Sequence, residues 1–175
     1  MSAPSVVAVV GNPRPESRTH GLARALSDEL AGVLAAAVLP EVDLAAIGAG
    51  VLDPGDGEAA DAVERVLAAD VLVVASPTYK ATYSGLLKAF LDRLGTGALG
   101  GALAVPVLLG GAPDHRLAVD VHFTPLLLEL GARVPARGLF VLESEIEAFS
   151  AWAASWCAEH RELLAAGLAA PIAGR

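Results

Sequence analysis

A doubly wound α/β domain on a five-stranded parallel sheet is what this sequence predicts, and three observations carry that expectation. Short apolar, β-branched runs alternate with stretches of helical periodicity along the chain. The runs Val6-Val7-Ala8-Val9-Val10 and Val71-Leu72-Val73-Val74-Ala75 are apolar at every position, as strands covered on both faces are. The units are short, and right-handed crossovers between short βα units favour strand order 2-1-3-4-5 with helices on both faces.

Val6 to Val10 is the first strand. The segment Gly11-Asn12-Pro13-Arg14-Pro15-Glu16-Ser17-Arg18-Thr19-His20-Gly21 contains two prolines and is neither strand nor early helix. Helical spacing follows, with Leu22, Leu26, Leu30 and Val33 on one face. A second strand is expected around Val38 to Leu44, at a sheet edge because of Pro40, and Ala45 to Gly57 reads as a loop. From Glu58 to Ala69, Ala59, Ala62, Val63, Val66 and Leu67 recur at helical spacing, with acids early, where the helix dipole favours them.

The third strand begins at Val71 and turns at Pro77. A helix from Ser84 to Leu94 then buries Leu87, Phe90, Leu91 and Leu94. Leu103 to Leu109 is the fourth strand, although Pro106 is awkward inside a sheet. His115 to Leu130 reads as one helix that is apolar around most of its circumference. A helix buried on one side only has a narrower stripe, so this one is expected to meet both the sheet and a second copy, in a homodimer or homotetramer. Leu139 to Leu142 is the last strand. A final helix from about Glu145 turns Ile146, Phe149, Ala153, Trp156 and Leu163 inward. There is no repeat and no linker, and residues 1–175 read as one domain.

Composition narrows the function. Hydrophobic residues make up 54% of the chain, too many for disorder, and the formal charge of −8 excludes a general nucleic-acid binder. The one cysteine, Cys157, excludes an internal disulfide and a cysteine zinc cluster, and it reads as a core thiol. No metal site is expected. The start, Met1-Ser2-Ala3-Pro4-Ser5, lacks the regions of a signal peptide, and no apolar run reaches spanning length; the expectation is a cytoplasmic protein with no membrane partner.

Three loops carry the chemistry. Outside the carboxyl ends of strands is where open parallel sheets bind ligands. The loop after the first strand has Arg14, Arg18, Ser17 and Thr19 where a helix starts, which suits a phosphate. A helix cap and solvated arginines are the alternative. The loop Ser76-Pro77-Thr78-Tyr79-Lys80-Ala81-Thr82-Tyr83-Ser84 offers two aromatic faces and free backbone N–H groups. The third loop, Gly110-Gly111-Ala112-Pro113, lets a ligand approach the backbone closely. Together they suit a mononucleotide with a flat ring. The Gly-x-Gly-x-x-Gly dinucleotide fingerprint is absent after the first strand, as is a P-loop, so nucleoside triphosphate hydrolysis is not expected.

On these residues the chain resembles the flavodoxin-like NAD(P)H-dependent FMN reductases, in particular those that supply reduced flavin to sulfonate monooxygenases. The resemblance rests on Gly11-Asn12-Pro13-Arg14 with Ser17, Arg18 and Thr19; on the run from Ser76 to Asp92; and on Gly110-Gly111 with His115 and Leu117-Ala118-Val119-Asp120. It extends from the first strand to about Leu142. It implies a flavodoxin-like fold, FMN as cofactor or substrate, and NADPH or NADH as reductant. By that resemblance Arg14, Ser17 and Thr19 hold the FMN phosphate, and Asn12 and Arg18 of the same loop are cofactor-binding. Pro77, Thr78, Tyr79 and Lys80 line the ring, Gly110 and Gly111 close its other side, and His115 follows.

No side-chain acid, base or nucleophile is demanded, because the cofactors carry the chemistry. Lys80 is a candidate for balancing negative charge on the flavin, or else a solvated lysine. Two departures stand out: Asn12 replaces the family's usual serine, and Val121, followed by His122, stands where some members have an aromatic residue. An FMN-bound quinone or azo reductase and a flavodoxin-type electron carrier are the competing readings; Arg14 and Arg18 in the first loop favour the reductase.

Overall fold

The computed structural model describes residues 3–169. The extreme ends of the expected 1–175 domain, Met1 and Ser2 included, lie outside the described residues. Strands β1 (Ser5–Val10), β4 (Val71–Pro77), β5 (Leu103–Gly110) and β6 (Leu139–Leu142) form the body of a parallel sheet. Two two-residue strands, β2 (Ala37–Val38) and β3 (Val42–Asp43), both pair in parallel with β1 on its outer side. The hydrogen-bonded order is β2-β1-β4-β5-β6, with β3 also on β1.

The sheet thus has six strands rather than the expected five. The break falls at residues 39–41, around Pro40, which has no N–H to give a ladder. Pro106 is tolerated in the sheet interior for a related reason. Its neighbour two back, Ala104, donates its N–H to Arg133 O at 2.7 Å, toward the β6 side. Strand periodicity points the position of Pro106 the same way. Pairing with β6 starts only at Val107–Leu139, so no ladder donor is missing there.

Alternation along β1 splits the core into two layers. Val6, Ala8 and Val10 pack with Leu22, Leu26 and Leu30 of α1 (Arg18–Leu34) and with Phe149, Ala153 and Cys157 of α6 (Phe149–Glu159). Val7 and Val9 face the other way, toward Ala62 and Val66 of α3 (Gly57–Ala68) and Leu87, Phe90 and Leu91 of α4 (Gly85–Leu91). Each fully buried Leu or Phe contributes about 1.5–3 kcal/mol, so these two layers hold the sheet's carboxyl edge in place.

Several expectations need correction. Asp43 caps α2 (Leu44–Ile47) through its carboxylate and the Ala45 N–H at 3.0 Å, and a 3₁₀ turn over Gly48–Leu52 follows, where a loop was expected. Leu67 is exposed. The final helix breaks at His160 into α6 and α7 (Arg161–Ala169), and the break exposes Leu163 and buries Leu164 instead. Trp156 is buried as expected, whereas Trp152 is 43% exposed.

The helix expected from His115 to Leu130 is really three pieces: a 3₁₀ turn (Pro113–His115), a π-helical turn (Val119–Phe123) and α5 (Thr124–Glu129). The Thr124 N–H bonds back five residues to Val119 O. Pro125 lacks the N–H that an α-turn would give to Val121 and crowds that carbonyl, and a widened turn relieves both problems. Phe123 and Leu127 enter the core, while Leu117, Val121 and Leu128 stay more than half exposed.

Cys157 is fully buried, as a core thiol should be. Burial, with the charge of Glu29 second, pushes its pKa up to about 11. A thiol whose pKa is raised by folding supports the fold while protonated, and that support fades as pH climbs from the unfolded thiol's range toward 11. The native protein should therefore leave an aromatic disulfide reagent unreacted at pH 8 and react fully once denatured in urea. Rapid reaction of the native protein would contradict the burial.

Among the described residues no helix is long and apolar enough to cross a membrane.

Candidate functional site

The carboxyl ends of β1 and β4 meet through one buried hydroxyl. Ser84 caps α4 by accepting the Leu87 N–H at 3.0 Å, and its own hydroxyl donates to the Gly11 carbonyl beyond β1. The Ser84 N–H in turn donates to Ser76 Oγ at 2.8 Å, at the end of β4. Both serines are buried, so a single N-cap ties the first loop to the second. Close approach finishes the junction: a Cβ on Gly11 would lie 2.6 Å from Leu87 Cβ, so only glycine fits.

The anion end is the start of α1. Ser17 accepts the His20 N–H on its side chain and the Gly21 N–H on its carbonyl. That leaves the Arg18 and Thr19 N–H groups pointing out of the helix end, with the positive end of the helix dipole behind them. Asn12 is spent on the loop itself. Its amide donates to Thr19 Oγ1 at 3.1 Å, and its oxygen accepts the Arg14 N–H at 3.0 Å. Thr19 keeps its hydroxyl proton to give. Among the described residues Arg14 makes no ion pair, whereas Arg18 is held by Glu143 at 3.0 Å. The free cation in this loop is Arg14.

The ring end is built by β4 and β5. The Thr78 N–H bonds to Leu109 O at 2.7 Å and locks the two strand ends together. The Thr78 hydroxyl is buried with no partner among the described residues, beside Gly110. A Cβ on Gly110 would stand 2.5 Å from Phe140 Cζ and 3.2 Å from that hydroxyl, so a side chain here would have to push the Phe140 ring aside. Strand β4 continues through Pro77, where a turn was expected; the turn comes later. Tyr79 and Thr82 exchange backbone hydrogen bonds around Lys80 and Ala81, both at positive φ (51° and 64°), the geometry of a type I′ turn. Each non-glycine residue in that region costs about 1–2 kcal/mol. Ala81→Gly should therefore raise the melting temperature by roughly 2–4 °C in a thermal scan; a lowered one would contradict the turn.

One cavity of about 450 Å³ gathers Asn12, Arg14, Ser17, Arg18, Thr19, Pro77, Thr78, Tyr79, Gly110 and Gly111. Lys80 and His115 do not line it: Lys80 sits at the tip of the turn, and His115 at the end of the 3₁₀ turn after the glycines. Tyr83, expected to offer a ring face, packs on Phe123 with centroids 5.3 Å apart. His20 turns toward the sheet edge, with Nε2 2.6 Å from Glu41. The Arg24 guanidinium, with His20 beside it, holds that carboxyl below the usual carboxylate range. Glu143, just past β6, lines the cavity and was not foreseen. The only sequence signal for it was an acid directly after a strand's carboxyl end.

A family model described as NADPH-dependent FMN reductase matches residues 4–147. The chain belongs to that family. It is 43% identical over 83 residues to an FMN reductase (NADPH) of Escherichia coli; that match spans 47% of this chain and 44% of the relative, under half of its length. An NADH-dependent FMN reductase of Pseudomonas putida is 34% identical over 186 residues, covering 99% of this chain and 95% of the relative. Among solved structures, the apo form of an NADH:FMN oxidoreductase superposes with a TM-score of 0.79 at 30% identity, covering 91% of this chain and 89% of its own. This α/β flavodoxin-like fold thus places the cavity within a member of the FMN reductase family.

Proposed function

We propose that the chain is an NAD(P)H:FMN oxidoreductase that supplies reduced FMN to a partner monooxygenase. The observation that carries this reading is the slot itself: an unpaired arginine and a helix amino terminus at one end, and an aromatic and glycine wall at the other. Three features support FMN in it. The Thr78 hydroxyl is a buried polar atom awaiting a partner, as the heteroatoms of a flavin ring would provide. A side chain on Gly110 would crowd the Thr78 hydroxyl as well as the Phe140 ring. The donors at the far end, Arg14 with the Arg18 and Thr19 N–H groups and the Thr19 hydroxyl, are those a phosphate monoester takes.

What FMN supplies when bound is a ring that accepts a hydride from reduced nicotinamide. The chain's part is positional. Arg14, Ser17, Arg18 and Thr19 hold the phosphate end, with Asn12 bracing their loop. Pro77, Thr78 and Tyr79 line the ring, Gly110 and Gly111 allow close approach, and Lys80 and His115 flank the slot rather than line it. Rings held face to face at reacting distance account for most of what such a site contributes.

In this reading β2 and β3 are one interrupted strand, giving order 2-1-3-4-5 in one domain over 1–175. The protein works in the cytoplasm. Leu117, exposed just before the π turn, Val121 on that turn and Leu128 on α5 are covered by a second copy in a homodimer or homotetramer. The relatives include enzymes named for NADPH and for NADH, so both reductants enter the test. Titration of the protein with FMN should show saturable binding, and oxidation of NADH or NADPH should rise with added FMN. No heat with FMN, or turnover with a quinone but not with FMN, would contradict the reading.

A further inference from the structure

A second cavity, of about 300 Å³, opens where β6 ends, walled by Arg116, Phe140, Phe149 and Trp152 with Glu145 at the rim. Its lining is unusually aromatic for a chain with 5% aromatic residues. The Phe149 and Trp152 rings lie 5.6 Å apart, and the Arg116 guanidinium stands 6.0 Å above the Phe140 ring. Trp152 leaves 43% of its surface to solvent, although a neighbouring position, Trp156, shows that this helix has room in the core for an indole. Arg116 is held only loosely: its ion pair with Glu145 is 3.3 Å long with both side chains half exposed, a kind of contact that contributes little.

The cavity shares a wall with the flavin slot. Gly110 lines the slot, Phe140 lines the cavity, and the two touch closely enough that a Cβ on Gly110 would lie 2.5 Å from the Phe140 ring. Glu143 belongs to the slot and Glu145, two residues on, to the cavity. The two cavities therefore lie side by side on the same rim of the sheet.

We propose that this cavity receives the adenosine-phosphate end of the nicotinamide dinucleotide, with the purine against Trp152 and Phe149 and a phosphate on Arg116. The inference rests on the reductase reading, which requires the nicotinamide in the slot and leaves the rest of the dinucleotide to find a place along the same rim. A purine joined to a phosphate is what aromatic walls beside one exchangeable guanidinium recognise. A neutral, apolar acceptor would have no use for Arg116. The phosphate on Arg116 belongs either to the diphosphate bridge or to a ribose 2′-phosphate; the chemistry is the same, and two probes separate the sources.

The test is calorimetry on the full chain without flavin, with ADP-ribose, which has the diphosphate alone, and with 2′,5′-ADP, which carries the 2′-phosphate. At least one probe should bind the wild type. Trp152→Ala and Arg116→Gln should each weaken it about tenfold, the order expected for one lost stacking or charged contact. KM for the dinucleotide should rise in parallel, while the Kd for FMN stays within a factor of two. Both side chains are about half exposed, so the variants should keep the wild-type circular dichroism; should one fail to fold, the other still decides. Failure of both probes to bind wild type, or an unchanged dinucleotide KM in a folded variant, overturns the proposal. The reductase reading fails separately, through the FMN titration of the wild type.

Discussion

Arg14→Gln weakens FMN binding by about ten- to hundredfold and leaves riboflavin binding within a factor of two. A hydrogen bond to a charged group contributes about 1.5–3 kcal/mol, and each 1.4 kcal/mol is tenfold in affinity. Arg14 is the loop's cation without an ion pair among the described residues, so its charge is available to a phosphate at no cost in broken contacts. Arg18→Gln should cost less, because Arg18 must first leave Glu143. Riboflavin has the ring but no phosphate, and so it separates loss of an anion contact from general damage to the slot. Quenching of flavin fluorescence measures all four combinations. Equal weakening of FMN and riboflavin would mean that Arg14 shapes the loop instead of gripping the phosphate, and an unchanged FMN affinity would remove it from the site. The Arg14 effect should also shrink as salt rises, since the slot is open to solvent.

Ser84→Ala lowers the stability of the whole protein by about 2–4 kcal/mol. Loss of an N-cap costs about 1 kcal/mol, and stranding a buried carbonyl costs a further 1–3 kcal/mol. Both losses occur together, because the same hydroxyl caps α4 and donates to Gly11 O. For a chain of this size that is a fall of roughly 5–15 °C in melting temperature. FMN affinity should fall as well, since the first and second loops lose their common tie. Ser84→Thr retains the hydroxyl and should recover most of the cap. A melting temperature within about 2 °C of wild type for Ser84→Ala would show that the junction is not what holds the loops together.

The parts of the fold that were legible are those where one local rule acts alone. Fully apolar β-branched runs marked β1 and β4, and the spacing of Leu22, Leu26 and Leu30 marked the buried face of α1. Pro40 announced a weak edge, although not that the strand would divide around it. Misreadings arose where two rules compete. Gly48 and Gly50 suggested a loop, but Asp43 caps a helix there and Val51 is drawn into the core. Pro125 did not stop the helical reading of 115–130, and the chain absorbed it as a π turn.

The site was legible for the same reason as the fold: its residues come in three contiguous loops at strand ends, which the topology brings to one rim. The gathering of ten expected residues around one cavity follows from that placement. What escaped notice depends on contacts distant in sequence. Nothing near Tyr83 says that it will pack on Phe123, and nothing near Glu143 says that it will meet Arg18. Position on the sheet's carboxyl edge was the one clue to Glu143. The same clue applied to Glu145 and Arg116 leads to the second cavity.

The measurement that bears most directly on the slot is a crystal structure of the protein soaked with FMN. The phosphate should lie within hydrogen-bonding distance of the Arg18 and Thr19 N–H groups and the Arg14 guanidinium, with the ring between Thr78 and Gly110 and a heteroatom on the Thr78 hydroxyl. Density for the flavin in the cavity beside Trp152, or with its phosphate remote from the start of α1, would contradict the account.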